Sequence, residues 1–284
     1  MKNIIVPIDF SDESIKGLNV ALLFAKKQHT NIQLVYVKKK SNDYRATSFS
    51  EEKAFAEKKF EALVSKHNPE LLYDSTLRYI IKKGKIYQEV VNQAESYKDS
   101  LIAMSTHGAS GFEELFIGSN ASKIISATDL PVITVSKGKC PDNIKKIVLP
   151  IDISPKTRQK VSYTAELARV FNAELYVVSV TSSQSKKLKR RLELYTNQVC
   201  GYLKSLKLNV FKDELLGENL TDVTINYATG LKADIISIMT EQVANLNLFS
   251  GSYAQQMINK APMLVLNITP KTMGYAGSFS TYGG

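Results

Sequence analysis

The 284-residue chain has only two cysteines, Cys140 and Cys200, too few for a disulfide framework. No run is long and apolar enough to cross a bilayer as a helix. The opening residues, Met1-Lys2-Asn3-Ile4, pass straight into an apolar strand-like segment, without the successive regions of a secretory leader. We therefore expect a cytoplasmic chain with no membrane partner. There is no zinc-finger spacing, and no histidine has Cys or His ligands at metal spacing, so a metal site is not expected. RNA-binding aromatic motifs are absent. So are the Gly-Lys-Ser/Thr of a Walker loop and the Gly-x-Gly-x-x-Gly dinucleotide fingerprint. The net charge of +10 suits a nucleic-acid binder in principle. Yet the basic residues fall in short scattered groups (Lys38 to Lys40, Lys82-Lys83, Lys186-Lys187, Lys189 to Arg191). A solvated basic surface is the simpler reading, with no specific nucleic-acid partner.

What the chain does have is a repeat. "KNIIVPIDFSDESIKGLNVALLFAKKQHTNIQLVYV" begins at Lys2, and "KKIVLPIDISPKTRQKVSYTAELARVFNAELYVVSV" begins at Lys145. Asp9 and Asp152 correspond. The ends of the halves match as well: "DLPVITVS" from Asp129 parallels "KAPMLVLNI" from Lys260, with Pro131 against Pro262. The second copy is shorter by about a dozen residues, and two copies of this length mean tandem domains rather than a solenoid. We place domain 1 at 1–138, a linker at 139–144, domain 2 at 145–269 and a flexible tail rich in Gly, Ser and Tyr at 270–284.

Strand and helix signals alternate within each copy. In the first half strands are expected near 2–8, 31–37, 73–81, 100–104 and 131–135. Ser11 is a candidate N-cap before Ile15, Leu18, Leu22 and Ala25 at helical spacing, and Ala56, Phe60 and Leu63 repeat that pattern. Ser154-Pro155 offers a cap followed by proline at the first helical position. Ile4-Ile5-Val6 and Leu101 to Met104 are continuously apolar, as in parallel strands covered on both faces. The fold class expected is α/β: two tandem, doubly wound, five-stranded, mainly parallel sheets with helices on both faces. The two should pair as pseudo-twofold partners, with a homodimer as a further option.

An open α/β sheet takes ligands beyond the carboxyl ends of its strands, where strand order reverses. Two loops qualify: the one carrying Asp9, and "MSTHGASGFEELFIGS" from Met104 to Ser119. Gly108 lets the backbone approach a ligand closely. Gly118-Ser119 precedes a helix-like run through Ile124 and Ile125, where free amides and the helix dipole favour a phosphate. Read alone, Gly108, Gly111 and Gly118 serve equally well as turn residues. The intervening Phe112, Leu115, Phe116 and Ile117 are too apolar for a free loop and are expected to pack.

Ser105, Gly108, the nine residues Ala109 to Ile117 and then Gly118-Ser119 resemble the nucleotide-binding motif of the universal stress protein family. That motif runs glycine, two residues, glycine, nine residues, glycine, then serine or threonine. The Val6-Pro7-Ile8-Asp9 opening and the "DLPVITV" ending are similar to the same family, over residues 1–137 and 145–268. The resemblance implies an adenine nucleotide alpha hydrolase-like fold and ATP, or AMP or ADP, as ligand, with or without Mg. It implies Asp9 and Val37 at the adenosine end, Met104 and Ser105 near the ribose, Gly108, Gly118, Ser119 and Asn120 at the phosphates, and Pro7 among the binding residues. Ser105 departs from the family's glycine and brings a Cβ to the ribose position, though serine is small enough to leave binding open. Half two keeps Asp152 but has Thr240 and Val243 at the positions of Ser105 and Gly108, and only seven residues separate Val243 from Gly251. Glu241 adds a negative charge there, so we expect a decayed pocket.

Ser119 has no evident base or nucleophile elbow, so no catalytic residue is assigned. His107 is expected to pack the loop or touch a ligand. Cys200 is expected to pack, and Cys140 to be exposed but unreactive. Three functions fit: a stress-response sensor or binding module holding an adenine nucleotide in domain 1, a slow ATP-hydrolysing enzyme, or a nucleotide-free interaction scaffold.

Overall fold

The computed structural model describes residues 1–39, 49–107, 117–136, 138, 140–240 and 252–270. Half one runs β1 (Asn3–Pro7), α1 (Asp12–Ala25), β2 (Asn31–Lys39), α2 (Phe49–His67), β3 (Thr76–Gly84), α3 (Ile86–Glu95), β4 (Ser100–Ser105), α4 (Ser119–Ala127) and β5 (Val132–Val135). Half two repeats it with β6 (Lys146–Ile151), α5 (Lys160–Phe171), β7 (Glu174–Thr181), α6 (Lys186–Ser205), β8 (Val210–Leu216), α7 (Leu220–Gly230), β9 (Ile235–Met239), α8 (Tyr253–Lys260) and β10 (Leu264–Ile268).

Strand order is β3-β2-β1-β4-β5 in half one and, mirrored, β10-β9-β6-β7-β8 in half two. All pairs within a half are parallel. The two five-stranded sheets do more than lie side by side. β5 and β10 pair antiparallel, Thr134 opposite Val265 and Ile133 opposite Leu266, so the halves form one ten-stranded sheet. The expected pairing of the halves is therefore present, and it runs through their last strands. Burying Ile133, Val265 and Leu266 at this seam is worth about 1.5–3 kcal/mol each. Asn267 is also buried there. Its amide donates across the seam to Val132 O at 3.1 Å and to Thr134 Oγ1 at 3.2 Å.

Successive strand residues point to opposite faces. Ile4, Val6, Leu101 and Ala103 join one core layer with α1, α2, α5 and α6. Ile5, Ile102 and Met104 join the other with α3, α4, α7 and α8. The continuously apolar strands are thus explained by helices on both sides. On the first face the halves also meet directly: the Phe24 and Phe171 rings cross edge-to-face at 5.0 Å, and the Met1 ammonium pairs with Glu166.

Ser11 caps α1 by accepting from Ser14 N at 3.1 Å, as its sequence position implies. Three details differ from expectation. β3 begins at Thr76 rather than 73, because Tyr73 and Asp74 both take positive φ in a turn. Ser154 does cap the segment after β6, but Pro155–Gln159 is a 3-10 turn, and α5 starts only at Lys160. Cys140 is half-buried against the core, which pushes its thiol up to about 11. Cys200 is buried, as expected. The tail 271–284 lies outside the described residues.

Expressed alone, residues 1–138 carry β5 as an apolar sheet edge, so the fragment is expected to self-associate. Light scattering after size exclusion checks this; a stable monomer would contradict the role given to the seam.

Candidate functional site

β1 and β4 are hydrogen-bonded neighbours, Ile5 opposite Ile102, and strand order reverses between them. The loops leaving Pro7 and Ser105 therefore open on one crevice at the carboxyl end of the sheet. Pro7 ends β1, and Val37 on β2 lies two residues beyond Val35, the partner of Pro7. Val37 and Met104 are largely buried, whereas the Asp9 side chain is exposed. Asp9 is held in place by Ser11, whose backbone N–H donates to Oδ1 at 3.0 Å and whose hydroxyl donates to the same oxygen. Asp9 N–H in turn faces Ser14 Oγ at 3.4 Å.

Phe10 makes this turn possible. Its φ is 64°, a left-handed conformation rare for a residue with a bulky side chain. Aromatic packing compensates: the ring stacks on Tyr36 at 5.3 Å and meets Phe60 edge-on at 4.9 Å. Tyr36 is itself fixed by donating to Glu52 at 2.5 Å. Burial and that carboxylate hold its phenol well above the ordinary range.

On the β4 side, the Ser105 hydroxyl donates to Glu13 Oε2 at 3.2 Å and accepts from His107 N–H at 3.2 Å. Glu13 is also paired with Lys16 at 2.7 Å. His107 Nδ1 sits 2.8 Å from Thr106 Oγ1, and its Nε2 is buried with no hydrogen-bond partner among the described residues. Residues 108–116, with Gly108 and Gly111, lie outside the described residues, as do Phe112, Leu115 and Phe116. Ile117 packs against the second core layer.

Gly118 is the N-cap of α4, with φ −59°, so its glycine character is not required for backbone freedom. Space is the constraint: a Cβ here would stand 3.1 Å from Thr106 O. The Gly118 amide is already used, donating to that same carbonyl at 2.8 Å. The helix amides without an intrahelical acceptor start at Ser119, with Asn120 and Ala121 following. Ser119 is exposed and Asn120 half-buried.

Half two differs at a position that no motif marks. Gly17 on α1 lies so close to β4 that a Cβ would be 2.9 Å from Ala103 O and from Met104 Cα. In the register that matches Asp9 with Asp152, its counterpart is Lys160, only 3 % exposed. The Lys160 ammonium donates to Thr157 Oγ1 at 3.2 Å. Burial brings the amine down to about 8, against the opposing pull of Asp152. Thr240 is buried and faces the Thr269 hydroxyl at 3.1 Å. Glu241, Val243 and Gly251 lie outside the described residues. Ser252 caps α8 by accepting from Gln255 N at 3.2 Å.

The Universal stress protein family profile matches residues 1–136 and again 143–268. The chain belongs to this family. A universal stress protein of Methanocaldococcus jannaschii is 27% identical over 148 residues, covering 49% of this chain and 84% of that protein. One from Bacillus subtilis is 26% identical over 142 residues, covering 46% of this chain and 96% of that protein. The crystal structure of a universal stress protein from Archaeoglobus fulgidus superposes with a TM-score of 0.75 at 16% identity, covering 95% of this chain and 97% of that one. The last likeness spans both halves and shows a shared fold. Among the described residues of this universal stress protein, no helix is long and apolar enough to cross a membrane.

Lys160 leads to a pH prediction. Its folded pKa, about 8, lies below the unfolded lysine value of about 10.4, so between these limits the unfolded chain binds more protons. Relative to a chain that lacks this amine but keeps both cysteines, stability should rise by about 1–2 kcal/mol from about pH 8 to about pH 9.5, below the tyrosine range. Lys160→Met is that chain: it should be more stable at pH 8, and its advantage should shrink by this amount towards pH 9.5. Urea midpoints at the two pH values measure both effects; equal slopes for the two proteins would contradict the buried, depressed amine.

Proposed function

We propose that this universal stress protein binds an adenine nucleotide in half one, in the crevice between the Asp9 loop and the start of α4. ATP is the first candidate, with ADP or AMP as alternatives and with or without Mg. The observation that carries this reading is the adjacency of β1 and β4 at the reversal of strand order, which directs Asp9 and the α4 N-terminus to one opening. The chemistry of the lining fits. The Asp9 carboxylate is exposed and oriented, an acceptor suited to the adenosine end. Val37 and Met104 offer apolar walls for the base and ribose. Amides from Ser119 onward, with the Ser119 hydroxyl, supply donors for phosphate oxygens. Gly118 leaves the approach to them clear.

The binding site serves as a sensor or binding module in the cytoplasmic stress response, and turnover of ATP is not required by it. Half two contributes packing rather than a second equivalent site. Lys160 in place of Gly17 fills space and brings a buried cation to the Asp152 side of its crevice.

Gly118→Val puts a branched side chain against Thr106 O and in front of the α4 amides. Loss of one or two charge-assisted hydrogen bonds, about 1.5–3 kcal/mol each, should weaken ATP binding at least tenfold. Unchanged affinity in a folded variant would remove this site assignment. Calorimetry of the unaltered chain should give about one ATP per chain; two equivalent sites would show that half two binds as half one does. A phosphate-release assay separates a binding module from a slow ATPase.

A further inference from the structure

Asn259 belongs to the last turn of α8 in half two, yet its side chain reaches into half one. Its Oδ1 accepts the backbone N–H of Ile117 at 2.9 Å, and its carbonyl accepts the Ser136 hydroxyl at 3.4 Å. Ile117 immediately precedes Gly118, whose own amide closes on Thr106 O. Two successive amides at the start of α4 are thus held by different halves of the chain. Thr106 fixes the second to β4, and Asn259 fixes the first to half two. The anchor is firm, because the neighbouring Met257 and Ile258 on α8 are fully buried.

The register that sets Pro131 against Pro262 aligns Asn259 with Thr128. Thr128 turns its hydroxyl to its own half, accepting from Leu130 N at 3.1 Å. The residue that matches Ile117 in half two, Ser250, lies outside the described residues.

We propose that Asn259 is a positioning residue for the phosphate end of the half-one site, coupling nucleotide binding there to the packing of half two. It acts through Ile117, without touching the ligand. The Ile117 amide sets where the chain turns into Gly118, and hence where the amides of Ser119, Asn120 and Ala121 present themselves. If the acceptor is removed, the amide must find water or move, and the following turn moves with it. By linkage, a ligand that needs those amides aligned also stabilises the contact between halves. This inference rests on the nucleotide-binding reading of half one and deepens it.

The test uses the full chain and two ligands. In Asn259→Ala, ATP affinity should fall about three- to tenfold, the worth of one neutral hydrogen bond. Adenosine, which lacks phosphates, should bind as it does to the unaltered protein. Hydrogen exchange at the Ile117 amide should accelerate in Asn259→Ala and stay slow in Asn259→Asp, which keeps an oxygen acceptor. ATP and adenosine weakening together would show a merely structural role and overturn the proposal. So would unchanged ATP affinity despite faster exchange at Ile117. If the unaltered chain binds neither ligand, the reading of the site itself fails, and this inference with it.

Discussion

The antiparallel pairing of β5 with β10 is the constraint on which the remaining architecture depends. Each half is a parallel sheet whose last strand would otherwise be an apolar edge, and the seam covers both edges at once. It also fixes the mutual orientation of the helices. With the seam in place, α1 and α5 meet on one face through Phe24 and Phe171, and α8 reaches the start of α4 on the other through Asn259. The seam is not wholly apolar. Asn267 donates from a buried position to both strands, so a shifted register would strand a polar amide in the core.

The halves are unequal although both match the same family profile. In half one, Gly17 lets α1 lie directly on β4. In half two, a 3-10 turn delays the helix and Lys160 buries its ammonium near Asp152. An interior cation held by one hydroxyl is tolerated, not favourable.

What could be read from the sequence was local or periodic. The repeat, the continuously apolar strands, the Ser11 cap and the closing strands each depend on near neighbours, and each is present. The two candidate loops were legible from strand alternation, but their meeting at one switch point depended on β1 and β4 being neighbours, which only the strand order supplies. The 3-10 character of Pro155–Gln159 was not legible, since the cap and proline there suit either helix type. Phe10 gave no signal either: nothing in "PIDFSD" announces a left-handed phenylalanine, because its stabilising partners Tyr36 and Phe60 are distant in sequence. Asn259 was invisible for the same reason, its partner Ile117 lying in the other half of the chain. Lys160 was the readable exception, since the repeat itself set it opposite Gly17. Of the site residues named from sequence, Gly108 lies outside the described residues.

The seam joins strands that are made at very different times. Thr134 and Val265 are partners although almost the whole of half two lies between them, so β5 leaves the ribosome long before β10 exists. Half one can complete its local crossovers early, at synthesis rates of roughly 5–20 residues per second, yet must wait on the order of ten seconds for its cover. Throughout that interval a nascent chain presents Val132-Ile133-Thr134-Val135 as an open edge, and neighbouring chains on one messenger present the same edge. The feature that unifies the finished molecule is thus the point of greatest exposure during its making, where a second nascent copy could pair in place of the chain's own β10.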